Sequence, residues 1–286
     1  MEKRMYGRQG EMLSVIGFGG IVVTREQQSD ADDFVAEAIH AGINYFDVAP
    51  GYGDAQEKLG KALKGRRHEV FLACKTEKRL AEDARAALEQ SLKLLHTDYF
   101  DLYQLHGVAT MEDARKALGP GGAAEVLIRA KEEGLVRHLG FSAHLEEAAL
   151  FLMDEFPFES VLFPFNWHAM MKSGFGEKVL QKAEALGVTR LALKAMAYRK
   201  WTPDETPAVR PYPKCWYRPV DDENLAGLAL RYTLSRPVTA AIPPGDVRLF
   251  RLAVRLAEAG NLKPLNEAEL NILRDAAQGT EPIFTS

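Results

Sequence analysis

Four polar residues of different chemical types stand just after short apolar segments of the sequence. Asp47 follows one such segment and Tyr52 comes one tight turn later, whereas Lys75 and His106 end the next two segments. If these segments are neighbouring parallel strands, the four side chains meet at one edge of the sheet. A carboxylate, a phenol, an ammonium and an imidazole gathered there can deliver a proton to a carbonyl oxygen. The pattern therefore predicts an oxidoreductase site that protonates an alkoxide as it forms.

This chemistry depends on how the four groups act on one another. A tyrosine phenol is a weak acid with a pKa of about 10, so it needs help to give up its proton near neutral pH. We expect the Lys75 ammonium to lower the pKa of Tyr52, and the Asp47 carboxylate to keep the ammonium charged and in place. Each residue alone has an ordinary structural interpretation, such as a loop-capping carboxylate or a hydrogen-bonded histidine. The combination at consecutive segment ends is what favours catalysis.

Apolar strand-like segments alternate with helix-like segments along most of the 286 residues. The predicted strands are short and apolar on both faces, which is typical of a parallel sheet covered by helices. They span residues 14–18, 43–47, 70–75, 99–105, 136–141, 159–163, 189–193 and 238–242. The predicted helices span residues 32–41, 82–95, 122–134, 145–154, 175–187, 222–235 and 246–259.

These alternating units predict an α/β fold, a single (β/α)8 TIM barrel formed by residues 1–286. A doubly wound sheet is the competing fold. That fold normally has a glycine-rich fingerprint after its first strand, and Gly17-Phe18-Gly19-Gly20 lacks the third glycine in register. The barrel is therefore favoured.

Three segments lie outside the repeat. Residues 3–13 predict a β-hairpin that caps the bottom of the barrel, with Arg8-Gln9-Gly10 as its turn. Residues 195–221 form a long connection rich in proline and aromatic residues, which we expect to form the substrate wall together with Trp167, His168 and Met170. Residues 266–278 predict an extra C-terminal helix on the outside, with Asn266 as its cap.

Composition excludes several classes of function. The net charge of −4 gives no reason to expect a nucleic-acid or membrane partner, and no segment approaches the length of a membrane span. Only two cysteines are present, Cys74 and Cys215, and no Cys/His cluster has zinc spacing, so no metal site is predicted. A cytoplasmic protein that acts on a small molecule is the expectation, and the oligomeric state is left open.

Three stretches resemble the aldo-keto reductase family, in its bacterial type. Residues 42–63, beginning GINYFDVAPGYG, resemble the family's second βα unit, and residues 91–106, ending DYFDLYQLH, resemble its path into the fourth strand. Residues 134–142, GLVRHLGFS, resemble its fifth strand. The resemblance covers nearly the whole chain.

The resemblance implies reduction of aldehydes and ketones to alcohols. Tyr52 would be the general acid, Lys75 and Asp47 would tune it, and His106 would orient the substrate carbonyl. The implied cofactor is NADP(H), with NAD(H) as the alternative, bound across the barrel mouth without a Rossmann fold. The residues that the resemblance assigns to the cofactor are Gly19, Gly20, Ser142, Asn166, Lys194, Pro243, Gly245 and Arg248.

The sequence departs from the family's pattern at several cofactor positions. Ala143 replaces the asparagine that follows the serine, and Leu162 stands where a carboxamide-binding glutamine is frequent. Leu193 or Lys194 falls at the position of the tyrosine that commonly stacks on the nicotinamide ring, and Pro244 replaces a frequent lysine. The cofactor positions therefore match the family's pattern less completely than the proton-transfer residues do.

Two other functions remain open. A non-catalytic nucleotide-binding or redox-sensing subunit is compatible with the missing ring-stacking tyrosine. A Schiff-base aldolase is the third reading, because Lys75 and Lys194 both lie at predicted strand ends and a desolvated lysine is nucleophilic. Asp47 beside Lys75 argues against that reading, since a carboxylate keeps a lysine protonated.

Overall fold

Eight parallel strands form the centre of the computed structural model, which describes residues 1–7, 10–260 and 262–285. The strands of the described chain are β1 (Lys3–Tyr6), β2 (Glu11–Ser14), β3 (Phe18–Gly19), β4 (Tyr45–Asp47), β5 (Phe71–Thr76), β6 (Phe100–Val108), β7 (Val136–Ala143), β8 (Ser160–Phe163), β9 (Thr189–Leu193), β10 (Ala197–Lys200), β11 (Tyr217–Pro219) and β12 (Ala240–Ile242). The helices are α1 (Gln28–His40), α2 (Ala55–Ala62), α3 (Ala81–Leu94), α4 (Met111–Leu118), α5 (Ala123–Glu132), α6 (Glu146–Glu155), α7 (Trp167–Ser173), α8 (Glu177–Leu186), α9 (Glu223–Leu234), α10 (Val247–Glu258) and α11 (Glu267–Ala277).

The sheet curls into a nearly closed barrel in the order β3-β4-β5-β6-β7-β8-β9-β12. Its two ends meet where Ile16 pairs in parallel with Ala241, and Gly17 N donates to Ala241 O at 3.0 Å. Helices follow the strands, so the sheet is covered on the outside as its apolar pattern requires. The predicted (β/α)8 barrel is confirmed.

Alternation along the strands decides which residues face the inside of the barrel. Tyr45, Ala73 and Leu102 belong to the inner apolar cluster, whereas their neighbours belong to the layer between strands and helices. Asp47 lies two residues beyond Tyr45, and Lys75 lies two residues beyond Ala73. Both polar side chains therefore point inward at the carboxyl end of the barrel.

An antiparallel hairpin of β1 and β2 closes the amino end, as residues 3–13 predicted. Tyr6 is fully buried, and its hydroxyl donates to Ser160 Oγ at 3.0 Å. Gly7 N donates to Thr189 Oγ1 at 2.8 Å. These contacts fix the hairpin to the first residues of β8 and β9, which leaves the opposite end as the open one. Arg8 and Gln9 of the predicted turn lie outside the described residues.

The C-terminal helix is also confirmed. Residues 266–278 were predicted, and α11 spans Glu267–Ala277. Asn266 and Glu269 form a reciprocal capping box at its start, in which each side chain accepts a backbone N–H of the other residue. Leu273 is fully buried against the rest of the chain.

Several details differ from the predictions. The single strand predicted at 14–18 is divided between the end of β2 and the start of β3, because the chain passes from the hairpin into the barrel there. Helices α2, α4 and α7 were not predicted; each has eight residues or fewer, which is too short for a periodic pattern to repeat over several turns. The connection 195–221 contains a further antiparallel pair, β10 and β11, which its prolines concealed.

None of the helices in the described part of the chain combines the length and apolar character that crossing a membrane requires.

Candidate active site

A cavity with a volume of about 220 Å³ opens at the carboxyl end of the barrel. The four residues of the predicted catalytic set all line it, although they come from three different βα units. The predicted members in its wall are Gly19, Asp47, Tyr52, Lys75, His106, Ser142, Lys194, Pro243 and Gly245. The structure therefore brings together most of the residues that the sequence singled out.

The deepest polar contact is an ion pair between Lys75 and Asp47. Both side chains are almost fully buried, at 1% and 3% exposure, and the Lys75 ammonium contacts Asp47 Oδ1 directly. Gln104 Nε2 donates to Asp47 Oδ2 at 3.1 Å, so the second carboxylate oxygen is also held. Burial alone would lower the pKa of Lys75, but the charges of Asp47 and Tyr52 outweigh it and raise that pKa. The lysine is therefore a fixed cation.

Tyr52 lies beside this pair on the loop between β4 and α2. Its backbone is held by a hydrogen bond from Thr24 Oγ1 to Tyr52 O at 2.9 Å. The Lys75 Nζ lies 5.3 Å from the centroid of the phenol ring. Burial raises the pKa of Tyr52. The Lys75 ammonium lowers it, as expected, but offsets only part of that increase, so the net pKa lies above that of a free tyrosine. The phenol therefore carries its proton at neutral pH.

His106 completes the group. Its ring stands perpendicular to that of Tyr52, at an interplanar angle of 86° and a centroid distance of 5.7 Å. Burial, followed by the charge of Lys75, lowers the pKa of His106 to about 3, so the imidazole is neutral. Its Nδ1 lies 3.2 Å from Glu77 Oε1, outside hydrogen-bond geometry. Arg79 Nη2 donates to His106 O at 2.7 Å and fixes the end of the strand.

Three of the predicted cofactor residues lie apart from the cavity wall. Gly20 packs its Cα against Val48, where an added Cβ would lie 2.8 Å from a methyl group. Asn166 is fully buried, and its amide donates to Lys194 O and Ala197 O at 2.8 and 2.9 Å. Its Oδ1 accepts from Ala169 N at the start of α7. Gly20 and Asn166 therefore pack behind the cavity wall and support it without lining the cavity.

Arg248 is the third predicted cofactor residue that lies apart from the cavity wall. Its guanidinium binds Asp246, with Nη2–Oδ2 at 2.9 Å, and also donates to Pro211 O at 2.6 Å. It stacks over Tyr212, 4.6 Å from the ring centroid. The sequence prediction assigned Arg248 to the cofactor without considering Asp246, the N-cap residue of α10 two positions earlier.

Sequence reasoning missed other residues that contact the site. Gln104 could have been found, because it lies two residues before His106 on the same strand and must share its face. His144 also lines the cavity, two residues after Ser142, and had no motif to mark it. Trp216 and Tyr217 of the aromatic connection 195–221 line the cavity, and the sequence predicted that this connection contributes aromatic residues to the wall.

The residues expected beside that connection are placed differently. Trp167 and His168 are fully buried, and Trp167 Nε1 donates to Ala197 O at 3.1 Å. His168 Nδ1 lies 2.6 Å from Tyr198 O. Met170 is 4% exposed, so these three residues support the substrate-side connection from beneath.

No group of three or more histidine, cysteine or acidic residues that could hold a metal ion occurs within residues 1–7, 10–260 and 262–285.

Comparison with known proteins agrees with this geometry. The sequence model of the Aldo/keto reductase family matches residues 15–211. An uncharacterized oxidoreductase of Bacillus subtilis (strain 168), YqkF, is 26% identical, and the match covers 96% of both chains. The aldo-keto reductase YhdN of the same organism is 30% identical over 63% of this chain and 56% of its own.

A solved structure, the aldo-keto reductase AKR11C1 from Bacillus halodurans in its holo form, superimposes with a TM-score of 0.74. It shares 24% sequence identity, and the match covers 98% of this chain and 97% of that chain. That likeness supports the barrel fold, and the family match over residues 15–211 covers more than half of the sequence. The predicted resemblance is confirmed, and the chain belongs to the aldo/keto reductase family of nicotinamide-dependent oxidoreductases.

Proposed function

We propose that this protein reduces aldehydes and ketones to alcohols with NADP(H), and that Tyr52 supplies the proton. The observation that carries the proposal is the buried Lys75–Asp47 ion pair beside the Tyr52 phenol at the wall of an open cavity. An acid that still holds its proton, next to a fixed cation, is what protonation of a carbonyl oxygen requires. The family match supports the same reaction class.

Each residue has a separate role. Tyr52 donates its proton to the carbonyl oxygen as negative charge develops there, and the Lys75 ammonium stabilises the phenolate that remains. Asp47 holds Lys75 charged and in position through their direct contact. His106 is neutral, so it donates one N–H to the carbonyl oxygen without adding a charge.

A nicotinamide nucleotide, when bound, would supply a hydride to the carbonyl carbon. The donors in the cavity suit such a nucleotide: the Ser142 hydroxyl, the Lys194 ammonium, and the backbone at Gly19 and Gly245. Pro243, which has no N–H, would contribute its ring and its backbone oxygen to the same wall. Gly245 is also a position where a side chain would not fit, because a Cβ would lie 2.2 Å from Ile21. We assign the cofactor contacts to these cavity-lining residues.

The preference for NADP(H) over NAD(H) rests on the family pattern. Arg248, assigned to the cofactor as a candidate to bind a phosphate, is held by Asp246 but keeps 59% of its side chain exposed. A phosphate bound there would compete with Asp246 for the guanidinium. Titration of the protein with NADPH and with NADH, followed by nucleotide fluorescence, measures the preference directly.

The proposed activity is tested by mixing the protein with either nucleotide and a panel of aldehydes and ketones. Oxidation of NADPH that depends on the carbonyl compound, with the alcohol as product, is the expected result. Tight nucleotide binding without turnover on any carbonyl would instead support the non-catalytic nucleotide-binding subunit, which the missing ring-stacking tyrosine at Leu193 or Lys194 favours.

A Schiff-base lyase is the third candidate, and one observation favours it. Burial and the charge of Lys75 lower the pKa of Lys194 to about 7, which makes its amine more available as a nucleophile. Borohydride treatment in the presence of an aldehyde, followed by mass spectrometry of the tryptic peptides, separates the two mechanisms. A reductase leaves the Lys194 peptide unmodified, whereas a lyase traps an adduct on it.

A further inference from the structure

Three lysines line the cavity, and they differ in their partners. Lys75 contacts Asp47, and Lys214 binds Glu26 with an Nζ–Oε1 distance of 2.5 Å. Lys194 has no carboxylate partner in the described part of the chain. Its Nζ lies instead 3.3 Å from His144 Nε2. The cavity therefore contains one cation whose charge no acidic side chain balances there.

The backbone of Lys194 fixes where this cation lies. The residue directly follows β9 and has a φ of 64°, in the left-handed region that glycine adopts at less cost. Asn166 stabilises this conformation by donating to the backbone oxygens of Lys194 and Ala197. A lysine is thus held in a strained conformation by a fully buried amide, and its side chain is directed into the cavity wall.

The groups around the Lys194 ammonium are two aromatic rings and the imidazole of His144. The Trp216 and Phe284 ring centroids lie 5.6 and 5.5 Å from Nζ. Burial and the charge of Lys194 lower the pKa of His144 to about 3, so its Nε2 accepts a hydrogen bond as a neutral imidazole. An ammonium has three N–H donors, and His144 accepts one of them. Two donors therefore remain for a ligand.

The charges around Lys194 also favour the binding of an anion. Lys75 is a second cation near Lys194, and the carboxylate of Asp47 is already engaged by Lys75. Burial in apolar surroundings makes an unbalanced cation unfavourable, which is why the amine of Lys194 loses its proton more easily. An anion at this position would balance the charge in a partly desolvated site, where such contacts are strong.

We propose that Lys194 Nζ binds an anionic oxygen group of a molecule held in this cavity, either a carboxylate of the carbonyl substrate or a phosphate of the nucleotide. The inference rests on the proposed function, because that function supplies both molecules. It adds that the reductase selects an anionic group at a fixed place beside the reacting carbonyl.

The experiment compares Lys194→Met, which removes the charge and keeps the length, with Lys194→Arg, which keeps the charge. Lys200→Met is the matched control, since Lys200 is an exposed lysine on β10. Calorimetry measures binding of 4-(hydroxymethyl)benzoate and of its neutral methyl ester, with and without saturating NADP⁺. Fluorescence titration measures NADPH and NADH binding to the same variants. The alcohol probes form no Schiff base, so only non-covalent binding is read.

A substrate carboxylate site predicts that Lys194→Met weakens binding of the acid by about tenfold or more, while the ester changes by less than about twofold. A nucleotide phosphate site predicts a similar loss for NADPH or NADH, with the acid unaffected. In either case Lys194→Arg retains most of the affinity.

The proposal is overturned if neither the acid nor either nucleotide binds Lys194→Met more weakly than Lys200→Met, or if acid and ester weaken equally. Failure of wild-type protein to bind the acid, together with unchanged nucleotide affinities in Lys194→Met, overturns it as well. Because these readouts measure binding, a reductase that turns over normally with unchanged affinities in Lys194→Met would refute this inference and the assignment of Lys194 as a cofactor contact. It would leave the proposed reaction and the role of Tyr52 standing.

Discussion

The pKa values of histidines are shifted in opposite directions at the two ends of the barrel. At the amino end, His138 lies between two carboxylates, with Nε2 2.5 Å from Glu11 Oε2 and Nδ1 2.6 Å from Glu159 Oε2. Burial alone would lower the pKa of His138, but the two acids outweigh it and raise that pKa. At the carboxyl end, burial and neighbouring cations lower the pKa of both His106 and His144 to about 3.

This difference indicates that the charged cluster at the amino end stabilises the fold, whereas the groups at the carboxyl end serve function. The amino-end cluster joins the hairpin strand β2, through Glu11, to β7 and to Glu159, which directly precedes β8, and each charge in it has a partner. Ion pairs of this kind fix elements relative to one another without leaving a donor for a ligand. The carboxyl end instead keeps neutral imidazoles and a lysine without a carboxylate partner in the described residues, which are groups still able to bind a substrate. A protein that only needed to fold would not benefit from that arrangement.

The largest effect is expected from breaking the buried Lys75–Asp47 pair at the functional end. Lys75→Met leaves Asp47 buried and without its cation, which we expect to lower the free energy of unfolding by about 3–5 kcal/mol and to abolish detectable reduction. Urea unfolding and NADPH oxidation measure the two losses. The double variant Asp47→Asn with Lys75→Met removes both charges and should recover much of the stability but none of the activity. Recovery of activity in the double variant would contradict the role of Lys75.

A smaller effect is expected at the amino end. Glu159→Gln removes the charge that His138 and Lys131 contact, and should lower the free energy of unfolding by about 1–3 kcal/mol. Because this end is remote from the cavity, kcat/KM should stay within about twofold of wild type. Glu132→Gln, at a neighbouring exposed residue of α5, is the control and should change neither quantity. A large loss of kcat/KM in Glu159→Gln would show that the two ends are coupled.

The smallest effects concern pH, and the two ends should respond with opposite signs. A histidine with a raised pKa stabilises the fold below its unfolded pKa of about 6.5 and loses that contribution as pH rises through its folded pKa. The stability lost in His138→Gln should therefore be greater at pH 6 than at pH 9. Chemical unfolding of variant and wild type at the two pH values measures this difference, and an equal loss at both would contradict the paired state of His138.

The stability contribution of His144 should depend on pH in the opposite direction from that of His138. Its folded pKa of about 3 means that the unfolded chain binds more protons between pH 3 and about 6.5, so stability is lost as pH falls through that interval. The destabilisation caused by His144→Gln should therefore be smaller at pH 4.5 than at pH 7.5. The same unfolding series reads this change, and no difference between the two pH values would mean that His144 is already paired or solvated.

Much of the fold and part of the site could be predicted from the sequence. Asp47, Lys75 and His106 were predicted together because each ends a strand on its inner face, and strand ends are visible in a sequence as apolar runs that stop at a polar residue. The hairpin of β10 and β11 could not be predicted, since its pairing joins residues that flank a long proline-rich segment. Its place in the cavity wall depends on that pairing.

The errors have physical causes that a sequence does not display. The pKa of Tyr52 is raised because the depth of burial outweighs the nearby ammonium, and depth follows from packing of the whole barrel. Arg248 was assigned to the cofactor, although Asp246 holds its guanidinium. Lys194 was assigned by position alone, and its lack of a carboxylate partner among the described residues follows from the packing of the neighbouring elements.

The central claim is that the Tyr52 phenol gives its proton to the carbonyl oxygen, and the most direct test compares Tyr52→Phe with Tyr99→Phe. Tyr99 lies at the amino end between Arg67 and Arg137, so its variant removes a phenol far from the cavity. With an aldehyde that wild type reduces, Tyr52→Phe should lower kcat by about 10²–10⁴-fold while nucleotide affinity and stability stay near wild type. Tyr99→Phe should keep kcat. Full activity in Tyr52→Phe would contradict the mechanism.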